Sequence, residues 1–542
     1  MIALALSLAL PANACGGLAC SVTAPVLQAG ERIVFAVDTD AHTVEAHVQI
    51  SYEGPSEDFA WIVPVPAAPE VFLSSDLLFN AIAPATQATF TPVVTTLGSC
   101  SRRQLRLGSV WGSPDYEINT SGPLPAPEVT VVSRDQVGPY DSVVLQANDA
   151  DALASWLGEH NYDLPTNFAT VIAPYVAEGQ AFLALRLLKD RDAGDLTPIA
   201  FRYAGDKASI PIQLTSIAAA PDLPLQVFYL GAHRAVPLNY LHVQINEAAI
   251  DWLGQGANYA AVVGLAADEA GGHAFATDYA GSTSIVPPIF PNGPMDLDAL
   301  RALSGDANGK VSALVYAVGT SSGALTSLIE AYVTLPAGVA SADYVQCPAC
   351  YILPNQTLEW DALLDAVQVD VIAPGEHAQE LVSAATTLTG LTSSLSAAEM
   401  TVDPIFGENP DLPEVSNQHT ADVTIDCHGS RRTYSAGTTI TLADGREVLQ
   451  PSSRWLAEHA TTLEEELARS TDVHALVIEQ LGESGPPVVI ADNTNAAAEQ
   501  AEAYNDSLHR RAAGFGCSAT GNPSGWMGLM LISLAALTRR RR

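Results

Sequence analysis

The chain has 542 residues, 60 of them acidic and 24 basic, for a formal net charge of −36. Such a chain repels nucleic acid and anionic membrane surfaces, so nucleic acid is not expected as a partner and a membrane is expected only through the C-terminal tail. A hydrophobic content of 48% is ample for a core, and the length allows two to four domains or one large domain with extensions.

The chain opens on an apolar run from Ile2 to Leu10, then Pro11 and Ala12-Asn13-Ala14, an A-x-A cleavage pattern. No Lys or Arg precedes the run, so the true export signal is expected to start upstream of Met1. Cys15 follows the cleavage point. A lipoprotein signal carries Leu at the position held here by Ala12, so simple cleavage between Ala14 and Cys15 is preferred. The chain has seven cysteines, which fits an oxidising compartment. Local spacing pairs Cys15 with Cys20 and Cys347 with Cys350, which leaves Cys100 with Cys427. Six cysteines leave about 15 connectivities open.

In chain order, 32–38 and 43–52 read as a hairpin around Thr39-Asp40-Ala41. In its second strand Val44, Ala46, Val48 and Ile50 alternate with Glu45, His47, Gln49 and Ser51. This is the pattern of a half-buried strand with the polar set facing outward. Residues 59–65 form a third apolar run, and 76–82 read as a short helix. Residues 102–133 are loop-rich with isolated strand signals. Asn148 is placed to cap a helix with Leu153, Trp156 and Leu157 on one face, and 168–177 read as a second helix. Strands are expected at 180–188, 197–203, 210–216 and 225–230, an extended loop at 286–294, a strand at 311–318 and a helix at 324–332. Helices follow at 361–367 and 376–386, and late strands at 423–426 and 438–442. After a composition shift near Pro451, Leu456, Ala460, Leu463 and Leu467 recur at helical spacing, and 495–513 read as a polar helix. No internal repeat has a fixed period.

The fold class expected is therefore α+β and strand-rich. A large mixed or antiparallel sheet body with inserted helices covers 15–445, and a small helical extension covers 446–515. Residues 516–542 form a tail. It holds Cys517, a small polar spacer, an apolar run from Trp526 to Leu537 and four arginines, Arg539 to Arg542. The run of 12 residues spans roughly 18 Å against roughly 30 Å of hydrocarbon, so it crosses a membrane only with thinning and snorkelling. The arginines would hold its end in the cytoplasm and leave the body outside. The tail closely resembles the MYXO-CTERM sorting signal. That resemblance implies recognition of Cys517 by a membrane protease and retention at the outer surface of a Gram-negative cell. An ordinary tail anchor is the alternative.

Several phrases in the body resemble a second family. They are Cys15-Gly-Gly, Glu31-Arg-Ile-Val-Phe-Ala36, Phe59-Ala-Trp-Ile-Val-Pro64, Trp156-Leu157 with Tyr162 and Pro165, and Tyr175-Val176 with Gly179 and Phe182. Pro211-Ile-Gln-Leu-Thr-Ser216, Met400-Thr-Val-Asp-Pro-Ile-Phe406 and Asn409-Pro-Asp411 complete the set. Together they look like the bacterial domain of unknown function 2330, over roughly 15–445. The resemblance implies an exported protein, often tethered at its C-terminus. It carries no activity, cofactor or catalytic residue. Cys347 and Cys350 are not part of its pattern.

Three constellations invite chemistry. Gly319-Thr-Ser321-Ser-Gly323 matches G-x-S-x-G between an expected strand and an expected helix, the context of a nucleophile elbow. Ser321 would then need an acid such as Asp361, Asp365 or Asp370, and a base such as His428. No oxyanion loop appears upstream, so a plain turn is preferred. Cys347-Pro-Ala-Cys350 can be a redox pair, half a zinc site completed by Cys427 and His428, or a structural bridge. Its strand-like flanks and the oxidising compartment favour the bridge. Asp190-Arg-Asp192-Ala-Gly-Asp195 and Asp306-Ala-Asn308-Gly309 resemble fragments of calcium loops, but both lack the full order of ligands. No metal or cofactor is expected. The leading function is an exported, non-catalytic surface protein, structural or partner-binding, served by export machinery and a C-terminal processing protease. A serine hydrolase using Ser321 and a calcium-dependent adhesion module are the alternatives.

Overall fold

The computed structural model describes residues 18–19, 27–53, 60–97, 129–160, 162, 164–165, 167–187, 197–351, 358–426, 438–451, 456 and 461–514. A mixed sheet of ten strands organises it. From one edge these are Val488–Asp492, Ala475–Gln480, Leu241–Ile245, Ala274–Ser282, Thr387–Leu395, Leu223–Gly231, Leu27–Asp38, Thr43–Glu53, Ile199–Ala204 and Glu70–Leu73. Two neighbouring pairs run parallel, Leu241–Ile245 with Ala274–Ser282 and Leu223–Gly231 with Leu27–Asp38. The remaining pairs are antiparallel.

One face of this sheet packs on a second, antiparallel sheet made of Leu18–Ala19, Ala60–Val65, Ala181–Leu187, Tyr140–Ala147 and Val129–Val137. The layer between them holds Ile33, Phe35, Val44, Ala46, Val48 and Phe201 from the larger sheet, and Trp61, Val63, Val144, Leu183 and Leu185 from the smaller. These are the inward positions of period-two strands, as the alternation at 44–50 requires. The other face of the large sheet, with Val34, Phe228, Leu230 and Leu388, is covered by helices. They include Asp76–Thr86, Ala307–Val318, Gly323–Tyr332, Trp360–Val367 and Ala373–Ala384. The helices Ala150–Glu159 and Phe168–Ala177 cover the outer face of the small sheet through Ile62, Val143, Leu145 and Phe182. The body is thus four layers deep: helices, sheet, sheet, helices.

Several expected elements change character. Residues 311–318, expected as a strand, are helical, because Val311, Leu314, Val315 and Val318 bury one face at 3.6-residue spacing. Asp306 caps that helix by accepting from the Gly309 N–H at 2.8 Å, and Gly319 ends it at φ 103°. Within 210–216, Pro211 precedes a helical turn, Ile212–Thr215. Asp149, not Asn148, caps the helix that follows. Residues 344–346 belong to the helix Ser341–Gln346 and are not strand-like.

Beyond 446 the helices Leu463–Ser470 and Thr494–Gly514 form, the first closed by a capping box of Thr462 and Glu465. The same stretch supplies the strands Ala475–Gln480 and Val488–Asp492 to the ten-stranded sheet. Among the described residues no helix is long and apolar enough to cross a membrane. The head to Leu10, Ala14, Cys15, Cys20, Cys100, Cys427, His428, Cys517 and the tail run lie outside the described residues.

Candidate functional site

Ser321 lies in an exposed turn between two helices, Ala307–Val318 and Gly323–Tyr332. The strand that a nucleophile elbow requires is absent from that place. Its carbonyl accepts a hydrogen bond from Asn80 Nδ2 at 2.9 Å. The neighbouring Ser322, 1% exposed, is the structural residue of the pair. Its hydroxyl accepts from the Leu325 N–H at 3.1 Å, capping the second helix, and donates to Asp76 Oδ1 at 3.3 Å. Asp76 Oδ2 accepts from the Ala324 N–H at 3.2 Å. Burial pushes the Asp76 carboxyl up, and these donors oppose the rise. The acids offered for a triad are placed elsewhere. Asp361 and Asp365 pair with Arg301, and Asp370 sits in the helical turn Gln368–Ile372.

Cys347 and Cys350 form a disulfide where the helix Ser341–Gln346 ends and a short 3-10 turn begins. The Asp306–Gly309 fragment is a helix N-terminus. Asp306 caps, and Asn308 accepts from the Tyr344 hydroxyl at 2.9 Å while donating to the Tyr351 carbonyl. The fragment at 190–195 lies outside the described residues.

Among the described residues, a close cluster of chemistry-bearing side chains arises where the half-buried reading of the second hairpin strand fails. Glu45 and His47 point away from the inter-sheet core, as the alternation demands, but they are 5% and 1% exposed. The helix Ala373–Ala384 covers this face and brings His377 down onto it. One carboxylate oxygen, Glu45 Oε1, lies 2.8 Å from His47 Nε2 and 2.5 Å from His377 Nε2. The other, Oε2, accepts from Arg202 through both Nε and Nη2, at 2.9 and 2.7 Å. Arg202 is the direct cross-strand neighbour of Glu45 on Ile199–Ala204. The far nitrogen of His47, Nδ1, lies 2.7 Å from the Ser74 hydroxyl. The ring of Phe72 meets both imidazoles edge-on.

Burial alone would raise the Glu45 carboxyl. The hydrogen bonds from His377 and His47, with Arg202 beside them, more than reverse this and hold it far below the usual carboxylate range. Burial lowers His47, and the hydrogen bond to Glu45 opposes the drop. The Glu45 hydrogen bond raises His377, which is half-buried. Nothing in the local sequence marks the cluster, since Glu45 and His47 read as the polar face of an ordinary strand. The missing signal is the partner helix more than 300 residues downstream.

A different feature marks the sheet edge. Val488, Val489 and Ile490 are 62%, 56% and 59% exposed, on a strand paired on one side only among the described residues. Pairing runs Gln480 to Val488 and Glu479 to Val489, then skips Ile490 at a bulge. Other exposed apolar strand residues, Val93, Val94, Val131 and Val132, lie on strands that border the undescribed segment 98–128.

A family model described as an uncharacterised protein conserved in bacteria matches residues 10–311, more than half of the chain. The phrases at 400–406 and 409–411 lie beyond the matched stretch. No curated protein and no solved structure matches the chain.

Proposed function

The chain belongs to this uncharacterised bacterial family, domain of unknown function 2330, and we propose that it is an exported surface protein that binds another protein and does not transform a substrate. The single observation that carries the reading is the edge strand Val488–Asp492. A free strand edge presents unpaired N–H and C=O groups that accept an added strand, while exposed side chains on either face select it. The bulge at Ile490 and the prolines 486 and 487 limit the pairing stretch to a few residues, so the partner must be specific. Two copies of a chain with charge −36 repel each other, which disfavours self-association at this edge. The occupant that fits is an extended segment of a different protein, carrying basic residues between apolar ones.

The location rests on the two ends of the sequence. Cleavage after Ala14 delivers the body through the export machinery. The tail, recognised at Cys517, retains it on the outside of a Gram-negative cell. The hydrolase alternative loses its main support once Ser321 sits between two helices.

Site-specific photo-crosslinking from position 489 in the surface-held chain tests the reading. The expected product is one chain joined to one different protein, and it is lost in the double variant Val488→Lys, Ile490→Lys. A crosslink within the chain, a crosslink to a second copy, or no crosslink overturns it.

A further inference from the structure

We propose that Glu45, His47 and His377 form a mononuclear site for a divalent transition-metal ion of the zinc class. Each of the three residues offers one ligand atom, and these atoms all lie within 4.8 Å of one another. Two elements far apart in the chain supply them, the strand Thr43–Glu53 and the helix Ala373–Ala384. Their convergence on one point is therefore a property of the tertiary fold.

The donor set selects the ion. Oxygen-seeking ions such as calcium need about six to eight oxygen ligands, which this site does not offer. Two histidines and one carboxylate suit zinc and its neighbours. An ion about 2.0–2.1 Å from each donor spaces the donors about 3.3 Å apart. The present oxygen–nitrogen separations of 2.8 and 2.5 Å must therefore open by about 0.5–0.8 Å when an ion enters. His377, 29% exposed in its side chain, has the freedom to supply that movement.

One outer contact of the kind a metal-bound imidazole uses is in place, on His47. Ser74 Oγ is positioned to accept from His47 Nδ1, which turns the Nε2 lone pair towards the ion. Ser74 is itself fixed, since its N–H donates to the Pro198 carbonyl at 2.9 Å. Binding moves the His47 proton from Nε2 to Nδ1, and the His377 Nε2 proton passes to its own Nδ1 or is released to solvent. On the second histidine, Glu380 Oε2 lies 4.0 Å from Nδ1. Arg202 occupies Glu45 Oε2, so the carboxylate offers one oxygen and binds through that atom alone. Phe72 walls the site on one side, and Arg202 lies over its ring. The exposed side of His377 is the route of entry and leaves a fourth position for water or an anionic group.

The test uses the tag-free mature chain, stripped with chelator and titrated with zinc chloride. Bound metal is counted by mass spectrometry and its ligands are read by X-ray absorption. The expected result is one zinc per chain, surrounded by nitrogen and oxygen ligands only. His377→Gln is expected to weaken binding by about 100-fold or more while keeping the melting temperature of the zinc-free chain. His377→Cys is expected to retain stoichiometric zinc and to bring one sulfur into the absorption spectrum. The proposal is overturned if the wild-type chain binds no zinc or shows sulfur ligands. It also fails if His377→Gln binds zinc as tightly as the wild type. Because neither readout involves position 489 or the surface partner, these results stand apart from those of the crosslinking experiment.

Discussion

Replacing Glu31 with glutamine should make the stability of this protein less dependent on pH. Glu31 sits inside the large sheet, 5% exposed, between Ile50 on one neighbouring strand and Leu225 on the other. Burial pushes its carboxyl up to about 7, against an ordinary 4.5, and the hydrogen bond from Gln28 Nε2 at 2.9 Å only partly offsets this. The folded chain therefore holds the proton more tightly than the unfolded chain. Stability from this group is fully present below pH 4.5 and is lost as pH rises towards 7, after which the loss is constant. A difference of about 2.5 pH units corresponds to about 3 kcal/mol. Glu31→Gln keeps the shape and an acceptor for Gln28 but cannot ionise, so it should be more stable than the wild type by about that amount at pH 8. The isoelectric point near 4.4 makes very acid solutions impractical. Urea unfolding followed by tryptophan fluorescence at pH 5.5 and pH 8 should capture about 2 kcal/mol of the change. A gap between variant and wild type that stays constant with pH would refute the reasoning, as would a variant less stable at pH 8.

The inter-sheet position of Val48 makes Val48→Asp bury an unpaired charge, at about 4 kcal/mol or more, whereas Gln49→Asp should stay within about 0.5 kcal/mol. Thermal unfolding of the two variants checks this, and equal effects would contradict the register. At the helix turn, Ser322→Ala should cost about 1–2 kcal/mol by removing a cap and a donor to buried Asp76, while Ser321→Ala should be nearly silent. The reverse ranking, read by the same assay, would restore interest in Ser321. Alkylation of the native chain without reductant should leave Cys347 and Cys350 unlabelled, because they are bridged. Stoichiometric labelling would mean the pair is reduced in its compartment. Intact-mass measurement of the surface form should find neither residues 1–14 nor the apolar tail, and retention of Arg542 in most molecules would leave only a membrane anchor.

What the sequence reveals here follows the range of the forces involved. The hairpin at 32–52 is legible because strand alternation and its turn are local, and both survive in the register of Ile33 opposite Val48 and Phe35 opposite Ala46. The helices at 361–367 and 495–513 are legible for the same reason. Residues 311–318 are misread because β-branched Val311, Val315 and Val318 favour a strand by type, while their spacing and the Asp306 cap favour a helix. Spacing wins because the apolar stripe packs against other helices. The burial of Glu45 and His47 is invisible locally. Polar side chains on alternating positions look solvated until a helix from residue 373 onward is laid over them. The edge at 488–492 drew no expectation from the sequence, and its exposed Val488, Val489 and Ile490 are set by topology.

Occupancy of this edge by another protein at the cell surface, as proposed, makes a measurable demand. Hydrogen exchange compared between the surface-held chain and the purified mature chain tests it most directly. The amides of residues 488–492 should exchange at least about tenfold more slowly in the surface-held form. Those of Val44 to Val48, deep in the same sheet, should be equally protected in both. Identical exchange at 488–492 in the two preparations would contradict the account.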